Sequence, residues 1–159
     1  MRRILFTGPR KLLVNEREFV CATIKEFLPK NLGESCLWII GDAPGVDTMA
    51  GNIARNNECN YLRLEVKPEL RHKKWGYAER SQRMVNSLSA GDIAIGFPNK
   101  PCPNSCTPKS PWNGGGSGTW GTLAASKAVE GVKVIAYPLK VIELPNWLRY
   151  QQLNLFTQE

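Results

Sequence analysis

No run of apolar residues in the 159-residue chain approaches the length needed to cross a bilayer, which excludes a helical membrane span. The string G-x-x-x-x-G-K-[ST] is absent, which excludes a P-loop NTPase. Histidine occurs once, at His72, in a basic connector and beside no evident nucleophile or acid. Acidic residues are outnumbered, 14 against 21 Lys and Arg, and the formal charge of +7 favours anionic partners, nucleic acid or a phosphate-bearing small molecule. The five cysteines are odd in number, and Cys21 and Cys36 read as small core residues of a reducing compartment. Only "CPNSC", Cys102 to Cys106, stands apart; it reads as a plain loop or an occasional disulfide, because zinc would need two more ligands and His72 is far off. No metal and no cofactor are expected. The start, "MRRILFTGPR", is too short for a signal peptide and reads as a first strand, so a cytoplasmic protein is expected.

What is present is an alternation of short apolar runs with amphipathic stretches. "RILFT" (3–7), "CLWII" (36–40), "YLRLEV" (61–66), "DIAIGF" (92–97) and "VKVIAY" (132–137) read as strands. Between them, Val20, Ile24, Phe27 and Leu28, then Val46, Met49, Ala50, Ile53 and Ala54, then Met84, Val85 and Leu88 recur at helical spacing, and 119–130 reads as a last helix. Asn15 and Glu18 suggest a capping box for the first helix, with Pro29 and Gly33 as its stop. The order predicts an α/β, Rossmann-like three-layer fold with a central, mostly parallel sheet of about five or more strands. One domain over 1–159 is expected, with a long loop at 99–113 and a C-terminal extension at 141–159 that caps the core or meets a second copy.

In open parallel sheets, ligands sit beyond the carboxyl ends of the strands. Three glycine-bearing turns fall on that edge: "TGPR" (7–10), "GDAPGVD" (41–47) and "GGGSGT" (114–119), the last within "NGGGSGTWGT", which packs five glycines into ten residues. Glycine lets an anion approach the backbone, and the N–H groups of a helix start suit phosphate. Gly116-x-Gly118-x-x-Gly121 matches the dinucleotide string, but it follows the fourth strand through a long loop, and the next strand ends at Tyr137-Pro138 without a carboxylate.

"GDAPGVDTMAGNIA" (41–54), "YAERSQRMV" (77–85) and "GGGSGT", in this order, resemble the SLOG superfamily, which joins the Lonely-guy phosphoribohydrolases, DNA-processing protein A and small nucleotide-sensing domains. The pattern is most similar to a small branch with a "GGARGAD"-like turn, and the likeness spans 3–137. It implies a Rossmann-like fold that binds a nucleotide or its derivative, often as a homodimer or higher oligomer. Arg80 matches the arginine of the hydrolases' "ERKxxM", but Gly121 and Thr122 stand where "PGGxGTxxE" leads to their glutamate. Cleaving an N-glycosidic bond commonly needs such a carboxylate, and only Asp42 and Asp47 lie on the relevant turns. The resemblance therefore implies sensing or sequestration of an ADP-ribose-like ligand, with hydrolysis and single-stranded nucleic-acid binding as alternatives.

The candidate binding residues are Gly8, Pro9 and Arg10; Gly41, Asp42, Ala43, Gly45, Val46 and Asp47; Arg80; and Gly115, Gly116, Ser117, Gly118, Thr119 and Trp120. Arg80 and Arg10 suit a phosphate, the bland alternative being a surface ion pair. Asp47 opens a helix and is expected to cap the N–H of Met49 or Ala50, with a ribose hydroxyl as a second partner. Trp120 and Trp75 suit base stacking, against a core position for the first and a solvated loop for the second. The loop "NKPCPNSCTPKSPWN" (99–113) exceeds ordinary connections and is expected to act as a lid.

Overall fold

Ile4, Leu5 and Phe6 are buried to 4% exposure or less, so the strand Arg2–Thr7 (β1) is covered on both faces and can only lie inside a sheet. The computed structural model describes residues 1–31, 34–113 and 118–149. After β1 come α1 (Val14–Lys25), β2 (Cys36–Ile40), α2 (Val46–Asn56), β3 (Tyr61–Arg63), a 3-10 turn at Pro68–Leu70, α3 (Gly76–Asn86), β4 (Ile93–Gly96), α4 (Gly118–Lys127) and β5 (Lys133–Ala136). The strands form one all-parallel sheet in the order β3-β2-β1-β4-β5.

Alternation along the strands sorts the core into two layers. Ile4, Phe6, Trp38, Ile40, Ile95 and Phe97 pack with Val20 and Ile24 of α1 and Ala50, Ile53 and Ala54 of α2. Leu5, Ile39, Ala94, Val134 and Ala136 pack with Met84 and Val85 of α3 and Leu123 and Ala124 of α4. The expected three-layer Rossmann-like α/β fold is therefore present. No helix among the described residues is long and apolar enough to cross a membrane.

Element ends differ from the sequence expectation for identifiable reasons. α1 begins at Val14, so Glu16, not Glu18, occupies its third position; its carboxylate accepts the Leu13 N–H at 2.9 Å and replaces the expected Asn15 cap. β3 stops at Arg63 rather than at 66, because the Asp42 carboxylate accepts the Val66 N–H at 3.0 Å and draws the chain off the sheet edge. β4 starts one residue late, since Asp92 accepts the N–H groups of Arg3 and Ser89, both at 2.8 Å. The C-terminal extension caps the core as far as it is described: Leu148 is fully buried, and Trp147 meets Trp120 edge-on at 6.1 Å. Gly33, Gly115, Gly116 and Ser117, singled out above, lie outside the described residues, as does the C-terminal extension from residue 150 onward.

The turns after β1 and β2 are locked together. A Cβ on Gly8 would lie 2.3 Å from Val46 Cγ2, and one on Gly45 would lie 2.3 Å from the Pro9 carbonyl oxygen, which also accepts the Val46 N–H at 3.3 Å. Gly45 has φ +83°, a region side chains avoid. Gly45→Ala is therefore expected to cost about 2–4 kcal/mol, from backbone strain plus the clash with Pro9. Urea unfolding measures it, and a cost below about 0.5 kcal/mol would mean that the two turns are not locked.

Candidate functional site

β1 and β4 are neighbours, but β1 runs on to α1 on one face and β4 to α4 on the other. A crevice opens at such a switch point. Here it is a cavity of ≈ 780 Å³, within the usual range for small-molecule sites. Five segments wall it: the end of β1 with Gly8 to Lys11, the start of α2, the start of α3, the loop that follows β4, and the start of α4.

The buried part of the wall is an arginine held by two carboxylates. Arg80 on α3 is 7% exposed; its Nη1 donates to Asp42 Oδ1 at 2.8 Å and to Asp47 Oδ2 at 3.3 Å. A Cβ on Gly41 would lie 1.9 Å from that Nη1, so Gly41 is the seat on which the guanidinium rests. Asp47 does not cap Met49 or Ala50. Its Oδ2 accepts the Ala43 N–H at 3.1 Å, and the Met49 N–H goes to the Gly45 carbonyl at 3.0 Å, because Gly45 supplies no side-chain cap and the carboxylate turns back towards Arg80. Burial raises the Asp47 pKa to about 6, with Arg80 acting in the opposite sense. The other edge of Arg80 is less committed: Nη2 reaches Ser81 Oγ at 3.4 Å, and the buried Nε has no hydrogen-bond partner among the described residues. Arg80 is thus neither a surface ion pair nor a wholly free phosphate ligand. It is anchored on one side, and it lines the cavity.

Exposed cations ring the mouth. Arg10, Lys11, Lys74 and Lys100 all line the cavity, and the Arg10 guanidinium lies 3.8 Å from the centroid of the Tyr77 ring. Asp47 is the one carboxylate in that lining among the described residues. Lys11, Lys74, Lys100 and Tyr77 were not among the candidate residues, although the interleaved lysines and aromatics of "RHKKWGYAER" suit an anionic, base-containing ligand.

Of the candidate residues, Gly8, Pro9, Arg10, Ala43, Asp47, Arg80, Gly118, Thr119 and Trp120 meet around this one cavity. Gly41, Asp42, Gly45 and Val46 stand behind it as support. Trp120 is a core residue rather than an open platform: it is fully buried, and its indole N–H donates to the Lys100 carbonyl at 2.7 Å. Gly121 makes room for Trp112, whose ring a Cβ would approach to 2.4 Å, while the space beside Gly118 is open.

Asn99, Lys100, Pro103, Cys106, Pro111 and Trp112 of the 99–113 loop, expected as a lid, line the cavity. The Trp112 indole N–H donates to Gln82 on α3 at 2.9 Å, and the Cys106 thiol to the Pro111 carbonyl at 3.3 Å. Cys102 and Cys106 are free thiols, and burial pushes Cys102 up to about 12. Among the described residues no three His, Cys, Asp or Glu side chains cluster to hold a metal. His72 is exposed and outside the cavity lining.

No protein-family model, curated protein or solved structure matches the chain. A functional reading therefore rests on the chemistry of this cavity.

Proposed function

We propose that the chain is a SLOG-type protein that binds a phosphate-bearing nucleotide or nucleotide-derived signal, ADP-ribose-like in size and charge, for sensing or sequestration. One observation carries the reading: a cavity of ≈ 780 Å³ at the switch point of a parallel sheet, lined among the described residues by five basic side chains against a single carboxylate that one of them neutralises. Phosphate belongs at the start of α4, where the N–H groups around Gly118 and Thr119 are unsatisfied by the helix and the macrodipole favours negative charge. Arg10, Lys11 and Lys74, which have no carboxylate partner among the described residues, supply the remaining countercharge.

Asp47 favours a second reading. It is a cavity carboxylate with a pKa of about 6, near the range a general acid or base needs, so hydrolysis of a nucleoside monophosphate to free base is the enzymatic alternative.

A thermal-shift screen against AMP, ADP, ATP, ADP-ribose and a short oligonucleotide tests these readings. A ligand at about 100 times its Kd adds about 2.7 kcal/mol, a rise in Tm of roughly 5–10 °C for a chain of this size. Incubation of each stabilising ligand, followed by assay for free base, separates binding from hydrolysis. Stabilisation by the oligonucleotide alone, falling steeply with salt, would move the reading to nucleic acid. Gly118→Phe should leave the unliganded Tm within about 2 °C of the parent, since among the described residues the space beside the added Cβ is open, and should abolish the ligand shift. An undiminished shift would remove the start of α4 from the site.

A further inference from the structure

Five tryptophans are distributed along the chain, and four have their indoles committed. Trp38 is fully buried against Phe6, on the α1 and α2 side of the sheet. Trp120 is fully buried and bonded to the Lys100 carbonyl. Trp147 meets Trp120 edge-on and donates to the Cys106 carbonyl at 3.2 Å, and Trp112 lies over Gly121 with its N–H on Gln82. Trp75 differs. It is 56% exposed, and it lines the rim of the cavity next to Lys74.

Its backbone, by contrast, is fixed. Trp75 is the N-cap residue of α3, and its carbonyl accepts the Glu79 N–H at 2.9 Å. The turn before it is closed by the Lys73 N–H on the Leu70 carbonyl at 3.0 Å and the Gly76 N–H on the Lys73 carbonyl at 3.1 Å. Gly76 is required there, since a Cβ would come within 2.3 Å of the Leu70 carbonyl oxygen. A large aromatic face left in solvent on a rigid turn, at the edge of a cationic cavity, gains nothing for the fold. An aromatic side chain carried on a fixed backbone suits base stacking, because less ordering entropy is lost on binding than from a mobile loop. Tyr77, the other exposed ring of the lining, is already covered by Arg10 at 3.8 Å.

We infer that Trp75 is the platform on which the ligand's aromatic base stacks, so that the cavity selects a nucleotide over a sugar phosphate or an inorganic polyphosphate. The inference rests on the nucleotide reading and narrows it. Phosphates meet the cations and the start of α4, while the base leaves the cavity at its rim and covers the indole.

The test compares the full-length chain with Trp75→Ala and Trp75→Phe, using ATP, ADP-ribose, a (dT)8 oligonucleotide and inorganic tripolyphosphate as probes in calorimetric titrations. Trp75→Ala should weaken each base-containing probe that the parent binds by about 10- to 100-fold, as loss of one base–aromatic stack does. Trp75→Phe should recover most of that loss, and tripolyphosphate should bind all three proteins equally. If (dT)8 is the base-containing probe that binds, the same pattern still assigns the base to Trp75, with a nucleic acid as its source. Equal affinity of ATP or ADP-ribose for parent and Trp75→Ala would overturn the platform while leaving the nucleotide reading intact. An equal loss for tripolyphosphate would also overturn it, by making Trp75 a structural residue of the rim. If no base-containing probe binds the parent, the nucleotide reading fails, and this inference with it.

Discussion

Arg80→Met is expected to destabilise the folded chain by about 3–5 kcal/mol at pH 8, a fall in Tm of about 10–15 °C. Methionine replaces much of the arginine's volume but none of its charge, and it leaves Asp42 and Asp47 facing each other with side-chain exposures of only 20% and 7%. The size of the effect comes from those stranded carboxylates rather than from lost packing, and pH separates the two causes. In the parent, burial raises the folded-state pKa of Asp47 from about 4 to about 6, so the folded chain binds that proton more tightly than the unfolded chain does. The stability linked to Asp47 is therefore present at low pH and is lost as pH rises from about 4 to about 6. Arg80 is the main influence opposing the rise, so its removal pushes Asp47 higher still. A protonated carboxyl carries no buried charge. The penalty of Arg80→Met should consequently be largest above pH 7 and shrink as pH falls through 6 to 5. Urea unfolding of both proteins at pH 5 and pH 8 decides the matter; equal penalties would leave only a packing effect and defeat the buried-charge account.

The layers of this fold were legible because their cause is local. "CLWII" has no polar alternation and becomes a strand covered on both faces; Val46, Ala50, Ile53 and Ala54 recur at helical spacing and bury together. Positions that depend on a partner remote in sequence were not legible in the same way. Gly41 read as a place for an anion to approach, but its neighbour in space is the Arg80 guanidinium. Gly8 and Gly45 read likewise, and they keep clear of Val46 and Pro9. Trp120 suited a base as well as it suited the core until the Lys100 carbonyl and Trp147 occupied its surroundings. Periodicity tells which side of an element is apolar; it does not tell what fills the space beside a glycine or an indole. The cations of the cavity are the opposite case, since Lys11 and Lys74 adjoin residues already singled out, and only their convergence needed three dimensions.

Gly41→Ala brings these points to one bond. The added Cβ would stand 1.9 Å from Arg80 Nη1 and 2.5 Å from Asp47 Oδ2, closer than any real carbon approaches either. A long side chain usually swings aside from such a clash at little cost. Arg80 cannot, because it is buried and its displacement breaks both carboxylate contacts at once. The expected loss is about 3 kcal/mol, similar to that of removing the arginine itself. The two substitutions attack one interaction, so their costs should not add: in the Arg80→Met background, Gly41→Ala should cost at least about 1 kcal/mol less than it does in the parent. A double-mutant cycle at pH 8 measures this coupling. Additivity within about 0.5 kcal/mol would mean that Gly41 serves the turn alone. Coupling would make the "GDAPGVD" turn a seat for an arginine. That arginine, held by Nη1, lines the cavity, and Gly41 supports it from behind, so under the proposed nucleotide reading a folded Gly41→Ala chain should lose phosphate affinity through a displaced Arg80.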